Sequence, residues 1–279
     1  MPEIKAFTAA DLGFAAGQTA REGWASGRGD FELYREHDPD GCFTAWEGGN
    51  PVGMVTTTRY TTSGWIANLI VVPECRSRGI GRALMQRGLE HLAAAGIECV
   101  RLDGDPPGIP LYRSLGFVDE WESLRFRAVA SQLDAPEGVA RLHRRDLAAI
   151  AALDRPWFGD DRGRLLGLLF ERAEHGFSVT RDGRPAGYLM VLRSDLGLRI
   201  GPWAAADPDD AEALLRAALG EAVGETITVG VPEPNRAAQR VLERLGFEPT
   251  PSSLRMVRGP VRAEGRLDHL YAIANGAVG

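Results

Sequence analysis

Residues 69–82 read Leu-Ile-Val-Val-Pro-Glu-Cys-Arg-Ser-Arg-Gly-Ile-Gly-Arg. An apolar run stops at Pro73, a short loop follows, and a helical pattern opens at Ile80. The first turn of a helix leaves four backbone N–H groups without intrahelical partners and carries the positive end of the helix dipole. Glycines at 79 and 81 would let a ligand approach that backbone closely. Arg76, Arg78 and Arg82 add positive charge around Ser77 and Ile80. This spacing suits anion binding, with a diphosphate as the natural occupant. The other reading is a glycine-rich turn with a capped helix. The segment has neither the Gly-x-Gly-x-x-Gly dinucleotide fingerprint nor the Gly-Lys-Ser/Thr nucleotide loop.

Hydrophobic periodicity outlines the elements that must hold this segment. A strand is expected at 3–8 and a helix at 9–22. Two strands, Cys42–Glu47 and Val52–Tyr60, are joined by the hairpin signal Gly48-Gly49-Asn50-Pro51. Trp65–Val72 suits a central strand. The helix from Ile80 to about Ala95 carries Met85, Leu89 and Leu92 on one stripe and stops at Gly96. A strand at Cys99–Leu102, a short helix at Pro110–Leu115 and a strand at Phe117–Phe126 complete the first half.

The second half repeats this order. At an offset of 130, Leu115, Gly116, Phe117, Leu124 and Arg125 match Leu245, Gly246, Phe247, Leu254 and Arg255. Pro51-Val52-Gly53 resembles Pro185-Ala186-Gly187. Strands are expected near 177–181, 185–193, 198–204, 226–231 and 247–256, and helices near 145–153, 161–173, 208–222 and 234–245. The pattern is mixed α/β with a largely antiparallel sheet, in two tandem domains. They are expected at 1–128 and 138–279, with a junction at Ala128–Gly138.

Arg-x-x-Gly-x-Gly after a strand ending Val-Val-Pro resembles the acetyl-CoA signature of the GNAT N-acetyltransferase superfamily. Leu111-Tyr112-Arg113-Ser114-Leu115-Gly116-Phe117 is similar to the same family's closing element. The resemblance covers about residues 1–127. It implies that the strand Leu69, Ile70 and Val71 offers backbone groups to the pantetheine arm. It further implies that Arg76, Ser77, Arg78, Gly79, Ile80, Gly81 and Arg82 hold the diphosphate, mainly through main-chain N–H. A backbone N–H near Val71 would polarise the thioester carbonyl. Tyr112 would donate a proton to the departing thiolate; its other reading is a half-buried packing tyrosine. The chain departs from the family in two ways. Asp105 stands seven residues before Tyr112, where the family often has asparagine, and no glutamate lies on 65–72 to act as base. Asp103 is the leading candidate base, with capping of the turn before Pro106 as the alternative. The loop 102–112 looks like that of a subfamily that carries a second, degenerate copy of the domain.

In the second half, the position of the diphosphate loop reads Trp203-Ala-Ala-Ala-Asp207-Pro-Asp209-Asp210, and Leu242 replaces the tyrosine. Carboxylates at a helix start complement its dipole and would repel a diphosphate. Only the first domain is therefore expected to bind CoA. Trp157, Phe158, Asp160, Asp161 and Trp203 are candidates for an acceptor pocket, the other reading being interdomain core for the aromatics and caps for the aspartates. Trp24, Asp30, Glu32 and Tyr34 are further acceptor-side candidates.

Overall composition narrows the function classes. A net charge of −6 argues against non-specific nucleic-acid or membrane binding. Cys42, Cys75 and Cys99 form no pair or metal-ligand spacing with the five histidines, for which solvated surface is expected. No leader is expected in MPEIKAFTAADLGF, and no apolar run is long enough to span a bilayer. The expectation is a cytoplasmic monomer or homodimer that moves an acetyl group from acetyl-CoA to a small-molecule primary amine without a metal. Its rivals are an acyl-CoA-binding sensor without turnover and an acetyltransferase of protein N-termini or lysines. The tandem mycothiol synthases differ in that catalysis lies in their C-terminal copy.

Overall fold

A computed structural model describes residues 2–134, 136–262 and 264–279. Met1, read above with the N-terminal segment, and Ala135, inside the expected junction, lie outside these residues. Contacts divide the chain into two units: Met1–Glu120 with Arg255–Arg262 and Val278, and Trp121–Leu254 with Ala263–Ala277 and Gly279. The division falls at 120/121 rather than within the expected junction at 128–138. Strand hydrogen bonding causes this, because the segment after Trp121 pairs with the second half.

The first unit runs β1 (Glu3–Ala6), α1 (Leu12–Arg21), α2 (Arg28–His37), β2 (Cys42–Glu47), β3 (Asn50–Arg59), β4 (Ser63–Val71), α3 (Ile80–Ala94), β5 (Cys99–Gly104) and α4 (Ile109–Ser114). Strands β1 to β4 are antiparallel neighbours, and β5 joins β4 in parallel. Gly48 and Gly49 both have positive φ, +55° and +81°, the two-residue hairpin turn whose twist matches its strands. The expected helix at 9–22 is a 3₁₀ turn at Ala9–Asp11 followed by α1. Thr8 and Asp11 cap that turn reciprocally. Helix α2 was absent from the sequence expectation because RGDFELYREH is dominated by charge. It forms because Phe31, Leu33 and Tyr34 bury one side and the Asp30 carboxylate accepts from the Gly27 N–H at 3.0 Å.

Helix α3 lies on the sheet through Leu84, Met85, Gly88 and Leu92, all buried. Leu89 is only half-buried, so Leu84 and Gly88, rather than Leu89, complete the stripe with Met85 and Leu92. Leu84 is fully buried, so its truncation to alanine would cost about 2–5 kcal/mol.

In sequence order, the remaining elements begin with β6 (Val118–Val129), most of which belongs to the second unit. They continue with β7 (Val139–Arg141), α5 (Leu147–Phe158), α6 (Gly163–Arg172), β8 (Ala173–Arg181), β9 (Arg184–Ser194), β10 (Gly197–Ala205) and α7 (Pro208–Gly220). Last come β11 (Thr226–Pro232), α8 (Arg236–Arg244), β12 (Glu248–Arg258) and β13 (Leu270–Ala272). In the second unit the strand order is β6-β11-β10-β9-β8-β7, with β13 on β10. Its core gathers Trp203, Leu214, Leu215, Val229, Val241, Leu242 and Tyr271. Strands β7 and β13 were not anticipated, since three-residue strands carry no usable periodicity.

The last strand of the repeat divides unusually. Residues 255–258 of β12 lie in the first unit next to β5, although the sequence places them in the second copy. Arg258 there donates to the Leu115 carbonyl at 3.0 Å, and Arg262 pairs with Glu98 at 2.5 Å.

The histidines correct the surface expectation. His91 is 14% exposed and lies 3.0 Å from Asp38, while His269 is 13% exposed and stacks on Trp157 at 4.7 Å. Among the described residues no disulfide joins the cysteines. Cys42 and Cys99 are buried and Cys75 is half-buried. Burial, with Asp38 adding to it, pushes the Cys42 thiol up to about 12. An aromatic disulfide reagent should therefore titrate one thiol, Cys75, quickly in the native protein and all three only after unfolding. Rapid labelling of Cys42 in a Cys75→Ser variant would contradict this packing.

Candidate active site

Strand β4 brings the apolar run to the start of α3. Strands β4 and β5 pair only at Ser63–Trp65 against Cys99–Arg101. Beyond Trp65 the register with β5 ends, so strand pairing with β5 does not occupy the edge at Leu69, Ile70 and Val71, where the Val71 carbonyl accepts from Arg76 Nε. A strand edge of this kind accepts an extended polar chain by adding it as a further strand.

The loop that follows carries two residues with positive φ, Ser77 at +62° and Gly79 at +82°. Loops of this shape turn successive N–H groups to one side and make anion-binding concavities. Gly79 is the N-cap of α3 and supplies no side-chain cap, and the first intrahelical bond runs from Ala83 to Gly79. A Cβ at Gly79 would meet nothing within 4 Å, so the space before the helix is open. The residues fit a diphosphate: uncapped amides, no intervening side chain, and arginines alongside.

Those arginines are already engaged. Arg76 donates from Nε to the Val71 carbonyl at 2.9 Å and pairs with Glu22. Arg78 pairs with Glu47 at 2.7 Å, and Arg82 donates to Ser114 Oγ at 2.8 Å. The Arg76 and Arg78 side chains are about half exposed, at 48% and 50%, so these pairs are weak and exchangeable. The helix amides therefore supply the fixed part of the anion site.

Tyr112, on α4, is 9% exposed and meets Phe117 edge-on. Its ring fits because the preceding loop begins and ends in glycine. A Cβ at Gly108 would stand 2.7 Å from the phenol oxygen, and one at Gly104 would stand 3.0 Å from the ring. Burial, reinforced by Asp105, pushes the phenol up to about 12. Asp103, near the end of β5, makes a buried ion pair with Arg255, each side chain being 4% exposed, and the second contact of the pair is 3.2 Å. The guanidinium of Arg255 also lies 5.2 Å from the centre of the Trp65 ring. Sequence reasoning missed Arg255 as a residue of this unit. The signal was the repeat itself, since Arg125 is its mate; Arg125 faces Gly230 across the strands and donates to Ser253 at 3.1 Å.

The second unit's equivalent helix start is closed by the protein's own atoms. Asp207 caps α7, accepting from the N–H groups of Asp209 and Asp210, both at 2.9 Å. Such a cap contributes about 1 kcal/mol and occupies the amides an anion would need. Asp210 is buried against Arg181, and burial raises its pKa. Trp157 and Trp203 are buried in the second unit, Asp161 accepts from the Gly163 N–H at 2.9 Å, and Asp160 accepts from Asp161 at 2.7 Å. Asp154, Arg162 and Tyr188 close a buried network there, with Arg162 to Asp154 at 2.8 and 2.9 Å. In the first unit Tyr34 is buried and Glu32 pairs with Arg28 at 3.0 Å. Trp24 is half-buried. Among the described residues no three His, Cys, Asp or Glu side chains gather as a metal-holding group, and no helix is long and apolar enough to cross a membrane.

Two family models match the chain: "Acetyltransferase (GNAT) family" over residues 14–117 and "Acetyltransferase (GNAT) domain" over residues 150–272. The chain belongs to the GNAT acetyltransferases, in tandem form, and is an acyltransferase whose family uses an acyl-CoA cosubstrate. It is similar to holothin acyltransferase of Pseudoalteromonas sp., 28% identical over 91% of this chain and 86% of that one. It is also similar to the uncharacterized N-acetyltransferase YitH of Bacillus subtilis, 25% identical over 82% and 80%. A putative acetyltransferase from Pyrococcus horikoshii superposes with a TM-score of 0.87 at 27% identity, covering 99% of this chain and 95% of that one.

A buried pair is costly to break and much less costly to remove whole. Arg255→Met alone should lower stability by about 3–5 kcal/mol, and Asp103→Leu with Arg255→Met should recover most of that loss. Thermal unfolding of the three proteins measures it. Equal midpoints for single and double variants would show that the two side chains are not coupled.

Proposed function

We propose that the first unit transfers an acetyl group from acetyl-CoA to a primary amine of a small molecule, by direct attack within a ternary complex. The observation that carries this reading is the contrast between the two helix starts: α3 leaves its amides uncapped by any side chain beside a strand edge that β5 does not pair, whereas α7 fills its own. Acetyl-CoA, when bound, supplies the activated acyl group as a thioester. The chain's residues then bind and orient it. The α3 amides with Arg76, Arg78 and Arg82 take the diphosphate, and the edge Leu69–Val71 takes the arm. An N–H of that edge polarises the carbonyl as the amine attacks.

Tyr112 has the chemistry of a hydrogen donor to the departing thiolate. At a pKa of about 12 the phenol is fully protonated at neutral pH. A free thiol has a pKa of about 8.5, so the thiolate needs a hydrogen bond more than a complete proton transfer. As the C–N bond forms and the C–S bond breaks, the amine nitrogen loses one proton and the departing thiolate, hydrogen-bonded by Tyr112, gains one, so the products are the amide and the CoA thiol. In this reading Asp103 remains a carboxylate fixed by Arg255, orienting the end of β5, and the amine enters as its free base. Similarity over most of both chains to a protein named for acylating holothin supports a small-molecule acceptor.

Release of thiol from acetyl-CoA across a panel of small amines and peptide N-termini tests the reading. Acceleration by small amines is expected. Binding of acetyl-CoA without acceleration by any amine would favour the sensor, and preference for peptides would favour protein acetylation. Tyr112→Phe should lower turnover by roughly a hundredfold with little change in the KM for acetyl-CoA; full turnover would remove its role. Because the phenol stays protonated, activity should rise with amine deprotonation and show no falling limb from Tyr112 below about pH 10. The stability tied to this group has the matching sign. It is fully present below the unfolded-state value of 10 and is lost as pH rises towards about 12. Gly79→Glu should abolish acetyl-CoA binding while circular dichroism stays unchanged.

A further inference from the structure

The strand edge at Leu69–Val71 has a counterpart in the second unit, and there it is occupied. The two hairpins correspond residue for residue. A Cβ at Gly53 would stand 2.9 Å from the Ile70 carbonyl, and one at Gly187 would stand 2.9 Å from the Ala204 carbonyl. The Val72 N–H donates to Val52 at 3.0 Å, and the Ala206 N–H donates to Ala186 at 2.7 Å. Leu69, Ile70 and Val71 of β4 therefore correspond to Trp203, Ala204 and Ala205 of β10. The parallel neighbour stops within one residue of the same place, since β5 pairs as far as Trp65 and β11 as far as Ile200.

Beyond that point the edge of β10 carries β13. Trp203 pairs with Ala272 and Ala204 with Leu270, antiparallel. On the other side the segment reaches β11, where the Ile273 N–H donates to the Gly230 carbonyl at 2.9 Å. Glycines make the room. A Cβ at Gly230 would stand 3.0 Å from the Ile273 side chain, and the Gly201 backbone meets the Ile273 carbonyl so closely that no Cβ fits. His269 Nδ1 donates to the Ala205 carbonyl at 3.0 Å, as Arg76 Nε donates at 2.9 Å to the corresponding Val71 carbonyl in the first unit. Asn235, 2% exposed, accepts from the Ala238 N–H at 2.9 Å. Its Nδ2 donates to the carbonyls of Leu270 at 2.9 Å and Asp268 at 3.3 Å. The Tyr271 ring centre lies 5.1 Å from that of Trp203. A three-residue strand has little stability of its own; here its polar groups are met as those of a bound extended chain are.

We infer that the cleft between β10 and β11 is a strand-docking site whose ligand is the chain's own segment Asp268–Ile273, seated where the first unit takes the arm of the acyl donor. The likeness to the arm rests on the proposed donor site; the docking rests on the contacts of the second unit alone. Both parts of the place are thereby filled. Asp207 satisfies the helix start, and the segment satisfies the strand edge. Removing the Asp207 carboxylate alone therefore opens no second acyl-CoA site.

Hydrogen exchange of the full chain, read by mass spectrometry, tests the docking. In Ile273→Asp, peptides covering 203–206 and 266–275 should both exchange about tenfold faster or more, while 214–218 on α7 stay as in wild type. A synthetic peptide of residues 266–275 added to that variant should restore protection at 203–206, and a scrambled peptide should not. If Ile273→Asp does not fold, Ile273→Gly with His269→Ala makes the same comparison without a buried charge. Unchanged exchange at 203–206, equal acceleration at 214–218, or no effect of the peptide would overturn the inference. By calorimetry Asp207→Gly should bind one acetyl-CoA per chain, as wild type does; two would overturn it as well. If wild type binds none, the donor site fails and the likeness to the arm falls with it, while the exchange results still decide the docking.

Discussion

A helix must satisfy its first amides with something, and in this protein the two repeats solve that requirement oppositely. At α3 the cap is a glycine, no side chain caps the first amides, and a Cβ at Gly79 would meet nothing within 4 Å. At α7 the same positions are filled by Asp207. The dipole favours negative charge at both ends, but one repeat leaves the place for a ligand and the other supplies its own carboxylate. The rest of the first unit serves that unfilled position. Strand β4 ends beside it, the arginines stand around it, and α4 carries Tyr112, whose ring packs against the preceding loop at Gly104 and Gly108.

The sheet imposes the second constraint. Strand β4 must bury side chains under α3 at both ends and must also leave β5 after Trp65. A regular strand cannot do this with the residues present, because Ile66 and Leu69, which both face α3, have opposite parity. One bulge at Asn68, whose φ is +51°, resolves the conflict. The edge that β5 does not pair is thus a consequence of how apolar side chains are distributed along a single strand, and it costs one residue in an uncommon conformation.

Duplication adds a third feature. The matched pair Leu124-Arg125 and Leu254-Arg255 reads as two equivalent strand ends, yet the contacts assign Arg255 to the first unit and Arg125 to the second. Each arginine enters a different environment. Arg255 meets the carboxylate of Asp103, while Arg125 faces Gly230 and bonds to serine hydroxyls. The second copy therefore supplies residues 255–262 to the unit that carries the open helix start, whatever else it does.

Much of this was legible in the amino-acid order. The Arg76–Arg82 spacing, the glycines and most long strands follow from local turn chemistry and periodicity, which depend on neighbours a few residues away; the duplicated order was read from internal similarity, and the Leu-Tyr-x-x-x-Gly-Phe element from resemblance to a family. Asn68 was visible as the polar residue in an otherwise apolar run, but its meaning was not, because a bulge is defined by the opposing strand. Helix α2 was hidden because its charged majority masks the few residues that the sheet buries. The tertiary structure alone decided that Asp103 is locked to Arg255, that His91 and His269 are packed rather than solvated, and that the last strand segment belongs to the first unit. Each depends on residues far apart in the chain, up to 152 positions for Asp103 and Arg255, and no local pattern encodes which distant partner will satisfy a buried charge.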